Sequence, residues 1–290
     1  MNTTHWPAPA KLNLFLHVVG RRDDGYHDLQ TLFQFLDLED SIAITPRDDG
    51  RIRRVSDHAQ VEEDADLVVR AARLLAEETG SRQGADISIE KRIPLGAGLG
   101  GGSSDAATTL LALDKLWNLG IGTERLAALG LSLGADVPVF VHGVAAWAEG
   151  VGERLEPVDL ETPWYLLVNP GCSVSTASVF SNPALTRNSV PLRIRDFLTP
   201  DGGKTLSLRA ILDTARNDCE PVVRALYPEV DEALRWLSRR GDARMTGTGA
   251  CVFAPFDGWD QAQACLDSLP DGWEGFVTRG LNRSKVLALV

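Results

Sequence analysis

PLGAGLGGGSSDAA, residues 94–107, is a glycine-rich segment between a predicted strand and a predicted helix. It follows ADISIEKRI, residues 85–93, whose isoleucines alternate as in a β-strand. It precedes TTLLALDKLW, residues 108–117, whose apolar side chains recur at helical spacing. The glycines can take left-handed backbone angles and let a ligand approach, and the segment SSD after them offers helix N-cap side chains. Unpaired N–H groups and the positive end of a helix dipole at such a point predict a phosphate-binding loop.

Three known phosphate-binding loops can be compared with this stretch. A Walker loop needs a lysine directly after its glycines, and none follows here. The dinucleotide fingerprint G-x-G-x-x-G is formally present at Gly96, Gly98 and Gly101, but its acidic ribose partner would fall at Asp114, inside the predicted helix. A protein-kinase loop would need the strings H-R-D and D-F-G, which do not occur in the sequence. A glycine-rich turn without a ligand is the remaining alternative.

Composition limits the class of protein. The 290 residues, 44% of them hydrophobic, suffice for one large core or two modest ones. A net charge of −11 leaves no basic excess for a nucleic-acid partner. The longest apolar run, residues 137–148, is interrupted by a proline and a histidine and falls short of the ~20 residues that span a bilayer. The N-terminus has no signal-peptide core. We therefore expect a cytoplasmic protein with no membrane partner, either a monomer or a homodimer.

The cysteines and three further polar residues are candidates for chemistry. The four cysteines lack C-x-x-C spacing, which is typical of reduced thiols rather than of a disulfide or zinc framework. Lys11 and Asn13 point to the same side of an alternating apolar strand, residues 7–20, although both side chains could simply face solvent. Asp136 stands inside the apolar segment of residues 132–143. A buried carboxylate is costly unless a cation or several donors lie nearby, and a helix cap is the alternative.

The glycine stretch resembles the second motif of the GHMP kinases, the superfamily of small-molecule phosphotransferases that includes galactokinase, homoserine kinase and mevalonate kinase. PAKLNLFL, residues 9–16, resembles their first motif, and RMTGTGACVFAPF, residues 244–256, resembles their third. The resemblance implies an α+β protein with the two-domain GHMP kinase fold. Its N-terminal α/β domain, similar to ribosomal protein S5 domain 2, would span residues 1–157. Its C-terminal ferredoxin-like α+β domain would span residues 158–290, and its last strand could return to the first domain.

DGYH, residues 24–27, is similar to a segment of one branch of this superfamily, in which it lies against a cytosine ring. The resemblance implies ATP-dependent phosphorylation of the 2-hydroxyl of 4-diphosphocytidyl-2-C-methyl-D-erythritol, in non-mevalonate isoprenoid precursor biosynthesis. The partners would then be ATP and this cytidine-diphosphate-linked small molecule. Another GHMP kinase activity, a non-catalytic ligand-binding member of the fold and a nicotinamide-dependent oxidoreductase remain as alternatives.

The resemblance also implies roles for individual residues. Asp136 would take the proton of the acceptor hydroxyl, and Lys11 would keep that carboxylate ionised. Tyr26 and Phe180 would stack on the two faces of the cytosine, and the substrate would contact Asn13, Tyr26, His27, Asp136, Thr176 and Phe180. The nucleotide would contact Asp66, Lys91, Pro94, Leu95, Gly96, Ala97, Gly98, Leu99, Gly100, Gly101, Gly102, Ser103 and Ser104.

Asp66 and the metal ion are two further features of the predicted nucleotide site. The family usually has an asparagine where Asp66 stands, and an ionised aspartate can accept hydrogen bonds but cannot donate them. Mg²⁺ is expected to accompany ATP. The sequence assigns it no protein ligand beyond Ser104 as a candidate.

Overall fold

A computed structural model describes residues 2–56, 61–199 and 204–290 of the chain. The β-strands are β1 (Thr4–Arg21), β2 (His27–Arg47), β3 (Ile52–Arg54), β4 (Gly84–Glu90), β5 (Ala146–Gly150), β6 (Arg154–Pro157), β7 (Asp159–Leu160), β8 (Trp164–Asn169), β9 (Thr205–Leu206), β10 (Arg244–Met245), β11 (Val252–Phe256) and β12 (Glu274–Leu281). The α-helices are α1 (Leu67–Thr79), α2 (Gly101–Leu116), α3 (Thr123–Leu131), α4 (Val137–His142), α5 (Thr176–Ser181), α6 (Leu208–Thr214), α7 (Glu220–Leu226), α8 (Pro228–Ser238) and α9 (Trp259–Leu266). Short 3₁₀ turns cover Glu63–Ala65, Ile194–Phe197 and Lys285–Ala288.

One mixed sheet runs through both halves of the chain. Its strand order is β10-β11-β8-β12-β2-β4-β3, with β1 and β5 also paired to β2 and β6 paired to β5. The long antiparallel pair of β1 and β2 shifts register between Pro9 and Lys11 and again between Asn13 and Leu16. Such bulges bend a strand and redirect its side chains. They flank the two polar residues of the first motif.

Helices α1 to α4 cover the half of the sheet built from β1, β2 and β4. The apolar side chains of α1 recur at helical spacing and are buried at Val68, Val69, Ala72 and Leu75, among others. They join Leu110 of α2 in one core cluster. Burying a valine or leucine side chain stabilises a fold by about 1.5–3 kcal/mol. This core holds the start of α2 firmly against the sheet. Within the described part of the chain, no helix is both long and apolar enough to cross a membrane.

Strand β12 connects the C-terminal half to the first half of the sheet. Its residues 274–279 pair with β8, and Gly280 and Leu281 then pair with Leu36 and Phe35 of β2. The residues that follow β12 continue along the first half, where Val286 enters the core cluster of α1 and α2. The boundary between residues 157 and 158 stays a prediction, since a continuous sheet crosses it.

Candidate active site

The glycine loop leads directly into helix α2, but the helix begins earlier than the sequence predicts. Gly100 occupies the N-cap position with a left-handed backbone (φ 74°), and Gly101 is the first helical residue. Ser103, Ser104 and Asp105 therefore lie in the first turns of the helix, and the prediction that they cap it is wrong. No side chain of the described residues caps this N-terminus. Its N–H groups remain available for an anionic ligand.

A cavity of about 420 Å³ lies beside the loop. Most of the predicted loop residues line it, namely Pro94, Leu95, Gly96, Ala97, Gly98, Gly100, Gly101, Gly102 and Ser103. Three groups from elsewhere share the lining: Lys11 and Asn13 of β1, Asp136 before α4, and Thr176 and Phe180 of α5. The Leu99 and Ser104 side chains are buried and are not part of the described lining. The structure thus brings the first motif, the loop and Asp136 to one place.

The loop glycines leave no room for side chains. A Cβ at Gly98 (φ 76°) would lie 2.5 Å from the carbonyl oxygen of Thr246 and 3.0 Å from that of Gly249. A Cβ at Gly100 would lie 2.8 Å from the Phe140 ring. The loop is therefore packed against the turn of the third motif, and this contact sets its shape.

We expect Gly98→Ala to raise the KM for ATP about tenfold or more. The left-handed angle and the carbonyl contacts together carry roughly 1–3 kcal/mol of strain, and 1.4 kcal/mol is about a factor of ten. Gly120→Ala is the matched control, because Gly120 also has a positive φ (64°) but no described atom within 4 Å of the added Cβ. Initial rates against ATP concentration, with thermal unfolding of both variants, measure the difference. Equal KM values for the two variants would contradict the packing described above.

Lys11 and Asp136 form an ion pair at the edge of the loop. Lys11 Nζ lies 3.2 Å from Asp136 Oδ2, and it donates to Gly98 O at 3.0 Å and to Asn13 Oδ1 at 2.5 Å. The lysine is 3% exposed, whereas the aspartate side chain is 34% exposed. Asp136 is therefore only partly buried, and it opens onto the cavity with Lys11 as its cation. It precedes α4, but its side chain caps no N–H group among the described residues.

Asn13 positions the lysine and links the first motif to the third. Its Nδ2 donates to Thr31 Oγ1 at 2.9 Å, which leaves Oδ1 facing Lys11. Its backbone N–H donates to Thr246 Oγ1 at 2.9 Å. Asn13 and Thr246 are both buried. The ammonium group is therefore held by a chain of satisfied hydrogen bonds, which restricts its movement.

A second cavity of about 260 Å³ adjoins the first and shares Leu95 and Gly102 with it. Asp66 and Lys91 line this cavity. The Asp66 carboxylate accepts from Val68 N at 3.1 Å, as the N-cap of α1, and pairs with Arg54 Nη1 at 2.6 Å. Both of its oxygens therefore already have protein partners.

Lys91 is held between two carboxylates on the wall of the second cavity. It pairs with Asp105 at 2.7 Å and also with the fully buried Asp40. Burial lowers the pKa of Lys91, but Asp105 and Asp40 outweigh it, and the net pKa is raised. Burial raises the pKa of Asp105 in spite of the neighbouring lysine. The ammonium group is therefore charged and offsets part of the negative charge of this buried cluster.

The predicted cytosine-binding residues are only partly assembled. Phe180 lines the first cavity, and its ring centroid lies 5.3 Å from that of His27. Burial first, and then the charges of Arg187 and Arg21, lower the pKa of His27. Tyr26 is 63% exposed and does not belong to the described lining of either cavity.

Several lining residues were not predicted as site residues. Gly247, Thr248 and Gly249 of the third motif line the first cavity, and Thr248 Oγ1 lies 2.9 Å from Thr176 Oγ1. The sequence signal for these three residues is the third motif, whose glycines predict a tight turn. Thr31 and Phe33 also line the cavity from β2, and an alternating strand carries no mark that separates them from ordinary core positions.

The chain is similar to known kinases over nearly its whole length. The family model of the GHMP kinases N terminal domain matches residues 66–144, and that of the GHMP kinases C terminal matches residues 204–275. A curated 4-diphosphocytidyl-2-C-methyl-D-erythritol kinase of Alkalilimnicola ehrlichii is 59% identical over 98% of this chain and 93% of its own length. That of Halorhodospira halophila is 55% identical over 96% and 93%.

A crystal structure of 4-(cytidine 5'-diphospho)-2C-methyl-D-erythritol kinase superposes with a TM-score of 0.80 at 34% identity, covering 96% of this chain and 99% of that one. The predicted two-domain GHMP kinase fold is confirmed by these matches, as is the resemblance on which it was based. These relatives are similar to the chain over nearly its whole length, and the chain belongs to the 4-diphosphocytidyl-2-C-methyl-D-erythritol kinase family of the GHMP kinases.

Proposed function

We propose that the chain transfers the γ-phosphoryl group of ATP to the 2-hydroxyl of 4-diphosphocytidyl-2-C-methyl-D-erythritol, giving the 2-phosphate and ADP for isoprenoid precursor synthesis. Relatives more than half identical over nearly the whole chain carry the name of this kinase. The observation that carries the chemistry is the pair of Lys11 and Asp136, 3.2 Å apart in the cavity beside the glycine loop. A carboxylate, a cation and a phosphate-binding backbone are the parts that phosphoryl transfer to an alcohol needs.

Asp136 acts as the general base in this proposal. The substrate hydroxyl oxygen attacks the γ-phosphorus, its proton passes to Asp136, and the bond from the γ-phosphorus to the bridging oxygen of ADP breaks. Lys11 pairs with the carboxylate and balances negative charge near the transferred group. Since the ammonium group is already held by Asn13 and Gly98 O, it needs no rearrangement for this role.

The phosphates of ATP lie along residues 96–104 and accept hydrogen bonds from the loop and the uncapped start of α2. The nucleoside end extends into the second cavity, next to Asp66 and Lys91. The Asp66 oxygens are occupied by Val68 N and Arg54, so Asp66 contributes there through the position of α1 rather than as a free acceptor.

Mg²⁺ enters the site with ATP in this proposal. No group of three or more His, Cys, Asp and Glu side chains in the described segments could hold a metal ion by itself. The ion would therefore rely on the phosphates, as Mg²⁺ commonly does. Ser104 Oγ fits as a protein ligand because it is buried in the first turn of α2 and has no hydrogen-bond partner among the described residues. The bound ion would neutralise phosphate charge during transfer.

We expect Tyr26→Ala to raise the KM for the cytidine substrate about tenfold and to leave the KM for ATP unchanged. Stacking of an aromatic side chain on a base is worth roughly 1–3 kcal/mol. Tyr26 is exposed, so its removal leaves the protein core intact. Steady-state rates with each substrate varied in turn measure both constants. An equal rise in both would show that Tyr26 does not contact the cytosine.

The proposal as a whole is tested by ADP release with a panel of acceptors. The panel contains the cytidine-diphosphate-linked methylerythritol, homoserine, mevalonate and galactose, since GHMP kinases of other specificity share the fold. We expect release with the first acceptor alone. Release with another acceptor would assign the chain a different GHMP kinase activity, and release with none would exclude catalysis on these compounds.

A further inference from the structure

One arginine connects the two parts of the predicted cytosine site. Arg187 follows α5 in the chain, and its guanidinium donates through Nη2 to the carbonyl oxygens of Phe180 (2.9 Å) and Asn182 (2.8 Å). Nη1 donates to Leu185 O at 3.0 Å. Nε donates to Nε2 of His27, the first residue of β2, at 3.1 Å. The same side chain therefore holds the backbone of Phe180 and the ring of His27.

The contact with Arg187 determines which nitrogen of His27 carries the proton. A guanidinium has only N–H donors, so His27 Nε2 must be the acceptor and must be unprotonated. A neutral imidazole then has its proton on Nδ1. Nδ1 has no hydrogen-bond partner among the described residues, and it is not among their fully buried polar atoms. An N–H donor is therefore left without a protein partner beside Phe180, whose side chain lines the first cavity.

We propose that Arg187 is a positioning residue that makes the site select cytosine over uracil, by holding His27 as an Nδ1–H donor. This inference depends on the proposed function, since it concerns the base of the proposed substrate. Cytosine presents its ring nitrogen N3 as an acceptor, whereas uracil carries a hydrogen on N3. A fixed N–H donor can donate a hydrogen bond to N3 of cytosine. With uracil the same donor faces another donor, the N3–H group, and no hydrogen bond forms. Sites built on such a donor discriminate because a mismatched buried polar group is left unpaired.

The experiment compares Arg187→Met with the wild type on cytidine- and uridine-diphosphate-linked methylerythritol. Methionine has similar length and no donor, so His27 becomes free to carry its proton on Nε2. We expect the ratio of kcat/KM for cytidine over uridine to fall about tenfold or more, with the KM for ATP unchanged. A nitrogen NMR spectrum of the histidines should show the Nδ1–H form of His27 in the wild type and loss of that form in the variant.

Two further variants separate the tautomer from charge and from folding. Arg187→Lys keeps the charge and one donor, so it should retain most of the selectivity. Arg22→Gln removes one positive charge from the turn between β1 and β2, which precedes His27 and in which Arg22 pairs with Asp28. This variant should leave the ratio of kcat/KM for cytidine over uridine unchanged. If thermal unfolding shows that Arg187→Met does not fold, the wild-type NMR spectrum and the base selectivity of Arg187→Lys test the proposal instead.

The inference is overturned by an Nε2–H or charged His27 in the wild type, or by an unchanged base ratio in Arg187→Met with the protein folded. Its failure is distinguishable from that of the proposed function. A wild-type protein that phosphorylates neither substrate excludes the proposed function, whereas one that phosphorylates both equally well excludes only the selection of cytosine.

Discussion

Asp136→Asn is expected to lower kcat by at least ~10², because general-base assistance typically contributes ~10² to 10⁴ in rate. Asparagine keeps the size of the side chain and removes the negative charge that accepts the proton. ATP binding should persist, since the loop contacts of residues 94–103 do not depend on the carboxylate. Single-turnover rates and direct ATP titration measure the two properties separately.

The matched control for this variant is Asp213→Asn. Asp213 is half-exposed and pairs with Arg209 on the surface of α6, away from the cavity residues. It loses the same charge but should keep full kcat. Full turnover in Asp136→Asn would remove Asp136 from the mechanism, and equal losses in the two variants would indicate a general effect of charge.

Lys91→Met should lower the free energy of unfolding by about 3–5 kcal/mol, the cost of leaving a buried charge without its partner. Asp40 is fully buried and Asp105 nearly so, and both pair with this lysine. Adding Asp105→Asn to the variant should recover part of the loss, because one of the two carboxylates becomes neutral. Urea unfolding measures all three proteins.

Lys285→Met serves as the control for Lys91→Met. Lys285 also pairs with two carboxylates, Asp37 and Glu39, but it is about half exposed. Exposed pairs of this kind are worth only about 0–1 kcal/mol. Comparable losses in the two variants would contradict the assignment of Lys91 to a buried structural cluster and would favour a role limited to the nucleotide.

The local parts of the site were predictable from the sequence. The order of strand, glycines and helix predicted the loop, because each of these three elements is indicated by a pattern of neighbouring residues. The start of α2 was predicted wrongly, since a left-handed Gly100 begins the helix before the serines can cap it. The sequence leaves open whether Asp136 is a buried, paired carboxylate or a helix cap, and the structure shows it paired with Lys11 and a third exposed to the cavity.

Contacts between distant segments were less predictable. The residues of the first motif and Asp136 could be placed together only through the family resemblance, because no periodic pattern connects them. Arg187 carries no sequence signal at all, since a single arginine in a loop is usually solvated. The exposure of Tyr26 likewise depends on the conformation of a turn. The segment DGYH predicts where this turn lies, but not the direction in which the Tyr26 side chain points.

The return of β12 to the first half of the sheet has a consequence for biosynthesis. Gly280 and Leu281 supply the pairing partners of Leu36 and Phe35, and Val286 fills a place in the core beneath α1 and α2. A nascent chain that still lacks these residues cannot complete the folding of the first half of the sheet. The first half of the sheet therefore completes its folding only after the segment around Val286 has been synthesised.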